Sequence, residues 1–147
     1  MVSRLFRDLV SMPVTHVWRG GGSALFLEFG TLTPRVRSDG NTGNARGEVT
    51  LMIEWSWRIE AQKEILCGSW SDVNSWPAIF ETLKGATVQT IDTFGAVPEI
   101  SVTLSNGLRV ASFMTADGQP AWSLIDRRLR VSAHVLNGDV VVESVDS

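Results

Sequence analysis

A chain of 147 residues that is 44% hydrophobic and 20% charged has the size and composition of a single globular domain with its own core. The formal net charge of −3 provides no basic footprint for nucleic acid, and no stretch approaches the roughly 18 consecutive apolar residues of a membrane span. Cys67 is the only cysteine, so an intrachain disulfide is excluded and a reducing compartment is expected. We therefore predict one domain over residues 1–147, located in the cytoplasm, that binds neither nucleic acid nor membranes.

The first predicted element is a short helix over residues 4–11. Ser3 can cap its first turn, and Pro13 ends it because proline cannot continue a helix. We expect its buried side to carry four apolar residues: Leu5, Phe6, Leu9 and Val10. Strand patterns follow, and residues 38–47 then form a polar, glycine-rich loop without the spacing of a phosphate-binding loop.

Apolar and polar residues alternate without a break over residues 48–60, which is the period of a strand with one buried face. At roughly 3.3 Å per residue this run would reach about 43 Å, more than twice the usual strand length. It must therefore bend, serve two sheets in succession, or extend beyond its own domain to meet a partner. We expect the two tryptophans on its apolar face, Trp55 and Trp57, to lie in the core.

A second helix is predicted after Ser75, with Pro77 in its first turn and Gly85 just past its end. Its buried stripe would consist of Ile79, Phe80 and Leu83. The spacing places these apolar residues on one side of the helix.

The order of a helix followed by a β-meander occurs in both halves of the chain. The triplet Leu25, Leu27 and Phe29 recurs 75 residues later as Ile100, Val102 and Leu104. The tripeptide Trp57-Arg58-Ile59 recurs 65 residues later as Trp122-Ser123-Leu124. These offsets predict a degenerate internal duplication, with halves at about residues 1–72 and 73–147.

Two Asn-Gly turns predict two different hairpin registers. At Asn106-Gly107, a three-residue loop with Gly107 in the left-handed region pairs Leu104 with Leu108 and keeps the apolar residues on one face. At Asn137-Gly138, a two-residue type I′ turn keeps the apolar residues of its two strands on one face. It places the inward residues of the two strands together: Leu129, Val131, Ala133, Val135, Val140 and Val142.

The sequence offers no catalytic or metal-binding set. His16 and His134 lack a second ligand at a metal-like spacing, and Cys67 has no CxxC partner. The GxSxG pattern of a hydrolase elbow is also missing. We therefore predict no metal, no cofactor and no catalytic residue, and an enzyme is the less favoured interpretation.

A small polar ligand would need polar groups of opposite sign beside aromatic rings. The polar face of the long strand and its predicted neighbours could supply the charges, and a Ser/Asp/Asn-rich turn flanked by tryptophans could supply an exposed aromatic patch. The six candidate residues are Glu54, Arg58, Glu28, His16, Trp70 and Trp76. In the alternative interpretation, the charged residues only face water on a sheet surface.

The segments GEVTLMIEWSWRIE, ILCGS and LSNGLRV resemble those of an uncharacterised family of small bacterial proteins with no known activity. The more specific pieces are Gly47-Glu48, Trp57-Arg58-Ile59 and Gly68-Ser69. This resemblance implies a bacterial, cytosolic origin, and it implies no particular activity or site residue.

Together these patterns predict an α+β fold, dominated by antiparallel β-meanders with two short helices. The favoured function is a non-enzymatic binding or protein-interaction role, of the immunity or accessory kind. The alternatives are a small-molecule-binding β fold with a tryptophan-lined pocket and, less favoured, a hydrolase. A homodimer is also predicted, because the long strand and a valine-rich end (Val140, Val141, Val142 and Val145) would be hazardous as a naked sheet edge.

Overall fold

The computed structural model describes residues 2–145, which contain two α-helices, one 3₁₀ turn (Val73–Ser75) and eleven β-strands. The helices are α1 (Val2–Arg7) and α2 (Trp76–Leu83). The strands are β1 (Val14–Arg19), β2 (Leu25–Phe29), β3 (Val49–Ile53), β4 (Trp57–Glu60), β5 (Ile65–Gly68), β6 (Val88–Phe94), β7 (Glu99–Leu104), β8 (Arg109–Ser112), β9 (Trp122–Asp126), β10 (Val131–Leu136) and β11 (Asp139–Ser144). The prediction of a β-dominated fold with a few short helices is confirmed.

The strands pair antiparallel in two sheets that share one hydrophobic core. The first sheet has the order β1-β2-β3-β9-β10-β11, and the second has the order β5-β4-β8-β7-β6. The chain changes sheets between β3 and β4 and changes back between β8 and β9. Neither helix in the described part of the chain is long and apolar enough to cross a membrane.

The alternating run over residues 48–60 serves two sheets in succession, which was one of the three predicted possibilities. Its first part is β3 in the first sheet, and its second part is β4 in the second sheet. The prediction that Trp55 lies in the core is wrong, because Trp55 falls where the chain crosses between sheets and is 60% exposed. Trp57, at the start of β4, is only 3% exposed, as expected.

Helix α1 differs from its prediction at both ends. It begins at Val2, so Ser3 lies inside the helix and is not its cap, and it ends at Arg7. Ser11 then adopts a left-handed conformation with φ of +75°, which turns the chain into β1. Val10 is exposed because it lies in this turn, whereas the other three predicted core residues of the segment are buried.

Helix α2 lies where the sequence predicted it. Ser75 occupies the position before the helix, although its side chain makes no capping bond, and Pro77 lies in the first turn. Gly85 follows the last turn with φ of +86°, a conformation that favours glycine. Phe80 and Leu83 are buried, as expected of the apolar stripe.

Both Asn-Gly registers are confirmed. Leu104 N donates to Leu108 O at 2.8 Å around the first turn, in which Gly107 has φ of +86°. The second turn joins Leu136 to Asp139, and both of its central residues have positive φ, as a type I′ turn requires. The hydrophobic pattern therefore set the register correctly in both hairpins.

Each helix lies beside edge strands of both sheets. Helix α1 contacts β6 and β11, and helix α2 contacts β1 and β5. Because β6 belongs to the second half of the chain and β1 to the first, each helix packs on the first strand of the opposite half. Each helix thereby joins the two halves of the chain.

The two halves meet at an isolated β-bridge between Pro13 and Thr87. Four backbone hydrogen bonds surround this bridge in matched pairs. They are Ser11 N to Val88 O (2.8 Å), Gly85 N to Val14 O (2.8 Å), Val88 N to Met12 O (2.9 Å) and Val14 N to Ala86 O (2.8 Å). Exchanging the halves maps this set of bonds onto itself, so the two segments are related by a local two-fold axis.

The same relation extends to the buried tryptophans at the two crossings between sheets. Trp57 begins β4 and Trp122 begins β9. The Nε1 of Trp57 donates to Ser23 O at 2.6 Å, and the Nε1 of Trp122 donates to Pro98 O at 3.0 Å. Ser23 and Pro98 precede the matching strands β2 and β7, so the two indoles occupy equivalent positions.

We expect Trp57→Ala to lower the free energy of unfolding by about 3–5 kcal/mol, because it removes a buried indole and leaves a cavity. Trp55→Ala is the matched control, since it removes an exposed indole from the same crossing and should cost under about 1 kcal/mol. Guanidinium denaturation of both variants measures the difference. Equal losses would contradict the assignment of Trp57 to the core and Trp55 to the surface.

Candidate functional site

A surface cavity of about 350 Å³ lies on the outer side of the second sheet. Arg58 alternates with the buried Trp57 and Ile59 along β4, so its side chain projects to this outer side. The residues after β5 and after β8 complete the wall. Besides the buried Trp57, the large residues of the lining are Arg58, Ile65, Trp70 and Phe113, and we call this site the Trp70 cavity.

The apolar side chains of the Trp70 cavity are unusually exposed. Trp70 is 89% exposed, Phe113 is 51% exposed and Ile65 is 56% exposed. Large apolar side chains gain stability by burial, and these three are exposed together at one surface depression. Tryptophan and arginine are also the residues most enriched among the energetically dominant positions of interfaces.

Trp70 is held on a well-bonded turn. Gly68 N donates to Ser71 Oγ at 2.9 Å, and Ser71 N donates back to Gly68 O at 3.0 Å. Ser69 N donates to Trp57 O at 3.0 Å, which joins the turn to β4. A side chain at position 68 would meet Trp57 O at 2.9 Å, so this close approach requires glycine. The turn therefore presents Trp70 from a fixed backbone.

An ion-pair network holds Arg58 at the edge of the cavity. The Nε of Arg58 lies 2.6 Å from Glu60 Oε2, and the Nη1 of Arg109 lies 3.0 Å from Glu60 Oε1. Arg109 Nε also donates to Ser101 Oγ at 2.7 Å. The guanidinium of Arg58 lies over the ring of Phe113, 5.8 Å from its centroid. A cation is thus fixed beside the exposed aromatic residues.

The polar side chains of the cavity lining are those of Arg58, three serines and one threonine. Among the described residues that line the cavity, none is a histidine or a carboxylate that could activate its serines. Cys67 on the neighbouring strand is buried, and burial raises the pKa of its thiol to about 11, so little reactive thiolate is present at neutral pH. Within residues 2–145, no group of three His, Cys, Asp or Glu residues could hold a metal ion.

Glu28 lies on the first sheet and is fully buried. Its carboxylate accepts hydrogen bonds from Gly47 N (2.9 Å), from Trp18 Nε1 (2.8 Å) and from the hydroxyl of Thr50. Arg127 Nη1 donates to Thr50 Oγ1 at 2.8 Å. With its carboxylate engaged by three donors, Glu28 anchors the chain at Gly47 and is closed to an external ligand.

The other predicted residues are dispersed. His16 is the strand neighbour of Glu28, and its Nε2 lies 2.9 Å from Asn44 Oδ1. Glu54 is exposed at the crossing between sheets, where its backbone N donates to Ala121 O at 2.9 Å. The structure thus separates Glu28 and His16 from Arg58, which lies on the other sheet.

Trp76 is buried, which contradicts the prediction of a partly exposed patch with Trp70. It begins α2, and its ring meets that of Trp57 edge to face at a centroid distance of 4.9 Å. The guanidinium of Arg19 lies over the same ring at 5.5 Å. Helix α2 carries this indole into the core, so only Trp70 of the pair contributes to the surface.

Phe113 and Ile65 were not among the predicted site residues. The sequence held a signal for Phe113, because the register that groups Val110 and Ser112 with the core places Phe113 on the opposite face. Ile65 gave no such signal, since an apolar residue that begins a strand is expected to be buried.

No protein-family model, curated protein or solved structure matches this chain. The resemblance of its motifs to small bacterial proteins therefore stays a prediction.

We expect the ion-pair network to give a pH-dependent contribution to stability. Burial raises the pKa of Glu60, but the hydrogen bonds and charges of Arg109 and Arg58 outweigh it and leave that pKa below its ordinary value of 4.5. A carboxylate with a lowered pKa stabilises the folded state above its ordinary pKa, and this stabilisation is lost as pH falls through the lowered value. The difference in unfolding free energy between wild type and Glu60→Gln should therefore be largest above pH 4.5 and shrink below it.

Urea denaturation across this pH range measures the effect. Glu64→Gln is the control, because Glu64 is exposed and makes no salt bridge within the described residues. A difference for Glu60→Gln that does not change with pH would contradict the role of its charge.

Proposed function

We propose that this protein is a non-enzymatic binding protein that recognises a partner protein through the Trp70 cavity and its rim. The observation that carries the proposal is the near-complete exposure of Trp70 on a fixed turn, beside two further exposed apolar side chains. An exposed indole without a core to enter gains its burial only when a partner covers it.

Arg58 gives this surface a second means of recognition. Only its Nε is bonded to Glu60 within residues 2–145, so its terminal nitrogens can donate to an acceptor on the partner. A carboxylate or a backbone carbonyl next to an apolar side chain would satisfy both the guanidinium and the aromatic wall. This combination matches the mixed apolar and polar character of protein interfaces.

A small-molecule ligand is the second candidate function, because the cavity volume of about 350 Å³ lies within the range of ligand sites. A small molecule would also be oriented by Arg58 and packed by Phe113. A ligand that is fully enclosed by the cavity would favour this candidate, whereas binding that needs the exposed face of Trp70 would favour a protein partner.

We expect a random peptide library displayed on phage to yield peptides that bind the wild type and depend on Trp70. Trp70→Ala should weaken the binding of such a peptide by roughly 30-fold, since a tryptophan at the centre of an interface contributes about 2 kcal/mol or more. Isothermal titration calorimetry measures the affinities. Trp55→Ala is the matched control, because it removes an exposed tryptophan that does not line the cavity.

Peptides that bind wild type and Trp70→Ala with equal affinity would contradict the proposed site. Loss of binding in both Trp70→Ala and Trp55→Ala would show that the peptide also needs Trp55, and would contradict a site confined to the cavity.

We also propose a homodimer that pairs β11 of two copies. β11 is the edge strand of the first sheet, and its central valines, Val140, Val141 and Val142, are only half-buried. An edge strand with apolar side chains is a template for another strand, and antiparallel pairing about a two-fold axis would cover it in both copies.

We expect light scattering at micromolar concentration to give twice the chain mass of 16.1 kDa, with an interface of at least about 1,000 Å². Val141→Lys should shift the mass to that of one chain, because a charge on the strand opposes pairing. A mass of one chain for the wild type would contradict the homodimer.

We infer that the two halves descend from one duplicated unit of a helix and a β-meander. The equivalent indoles of Trp57 and Trp122, together with the matching order of β1-β2-β3 in one sheet and β6-β7-β8 in the other, support this origin. The proposal retains the bacterial, cytoplasmic setting, for which the single buried Cys67 and the sequence motifs are the support.

A further inference from the structure

The connection between β2 and β3 forms an irregular hairpin over residues 31–47, which we call the arginine arm. Thr33 and Arg46 exchange two backbone hydrogen bonds at 2.7 and 3.0 Å, and Val36 bridges Thr42 nearer the tip. Asp39 Oδ1 accepts from Asn41 N at 2.9 Å and closes the turn. The polar segment of the sequence is therefore an internally bonded structure, and most of its residues are exposed.

The fold does not require this arm. The equivalent connection in the second half, between β7 and β8, consists only of residues 105–108. The arm nevertheless uses the fully buried Glu28, which accepts from Gly47 N, and Arg127, which donates to Gly47 O at 3.0 Å. The Glu28 carboxylate also accepts from Trp18 Nε1 at 2.8 Å and from the Thr50 hydroxyl, so its burial is offset by three hydrogen bonds that fix the base of the arm.

Arg35 and Arg37 converge on one face of the arm. A side-chain carbon at Gly43 would lie 3.1 Å from Arg37 Cγ and 3.7 Å from Arg35 Cδ, so both stems pass over this glycine. Two guanidiniums on one face repel each other. Within residues 2–145, no carboxylate lies within 4.0 Å of Arg35, Arg37 or Arg46.

The positive charge continues toward the base of the arm. Arg46 is exposed and its charge acts on the half-buried Arg127. Burial is the main cause that lowers the pKa of Arg127; the charge of Glu28 raises this pKa, and the charge of Arg46 lowers it further. A chain with a net charge of −3 thus concentrates unpaired arginines on one projecting element.

We propose that the arginine arm binds an acidic, extended segment of a partner protein. Arg35 and Arg37 stand two residues apart, so their Cα atoms are separated by about 7 Å, which is the spacing of alternate side chains on an extended peptide. Carboxylates at alternate positions of such a peptide would each meet one guanidinium, which bonds carboxylates in a paired geometry.

A nucleic acid fits the arm less well than an acidic peptide. Single strands bind to aromatic side chains on which bases stack, and Val36 is the only large apolar side chain among the exposed residues near the tip. Duplex binding requires a longer basic stripe than one hairpin provides. The acidic peptide is therefore the occupant that the charge and spacing favour.

The test measures fluorescence anisotropy of a labelled peptide of alternating Glu and Thr with the full chain. We expect saturable binding that weakens with salt, and a loss of roughly tenfold or more in the triple variant Arg35→Gln, Arg37→Gln, Arg46→Gln. The matched control is Arg4→Gln, Arg7→Gln, Lys63→Gln, which removes the same charge from exposed positions elsewhere. Its affinity should remain close to that of the wild type, and thermal melts should show that both variants fold.

Three outcomes would overturn the proposal. Equal losses in the two triple variants would show a dependence on net charge alone, and equal binding of an alternating Gln and Thr peptide would show that the carboxylates are not recognised. Arm-dependent binding of a mixed-sequence single-stranded DNA, without binding of the acidic peptide, would assign the arm to nucleic acid.

Discussion

The antiparallel contact between Pro13 and Thr87 is the constraint on which both sheets depend. Its four hydrogen bonds join the segment between α1 and β1 to the segment between α2 and β6. They therefore fix the direction of the chain after both helices. Ser11 and Gly85 occupy matching left-handed positions in these turns, although a left-handed serine costs more than a glycine. These bonds join residues 11–14 of the first half to residues 85–88 of the second half. As a result, α1 packs on β6 and α2 packs on β1, so the core contains residues of both halves.

The crossings between sheets give the core its continuity. In β3 and in β4 the residues at odd-numbered positions face the core, so the alternation of buried and outward residues continues across the crossing. One continuous run of sequence therefore contributes core residues to both sheets. At each crossing, a buried indole donates its N–H to the carbonyl of a residue that precedes a strand of the opposite sheet. This bond satisfies the polar atom of a large buried side chain and ties the two sheets together.

The sequence predicted much of this fold because its strongest signals are local. Alternation and Asn-Gly turns determined strand positions and both hairpin registers, and Pro77 and Gly85 located α2. The two errors of burial share one cause, which is that a local pattern does not show which neighbours tertiary packing places around a side chain. Trp55 therefore was assigned to the core, and Trp76 to the surface, because the burial of each depends on tertiary packing rather than on local pattern. Of the residues that line the cavity, Arg58 and Trp70 were predicted as candidates from charge and composition, whereas their proximity to Phe113 depends on the pairing of β4 with β8.

The two surfaces proposed for binding lie where the halves differ. The Glu28 position, which anchors the arginine arm, is matched in the second half by Thr103, and the long connection of residues 30–48 is matched by residues 105–108. The exposed turn that carries Trp70 follows β5, whose counterpart β10 continues through a tight turn into β11. A symmetric scaffold supplies stability through its shared core, and it leaves connecting segments free to diverge. Both proposed surfaces are built on connections that differ between the two halves, so their positions follow from departures from the two-fold relation rather than from the shared core.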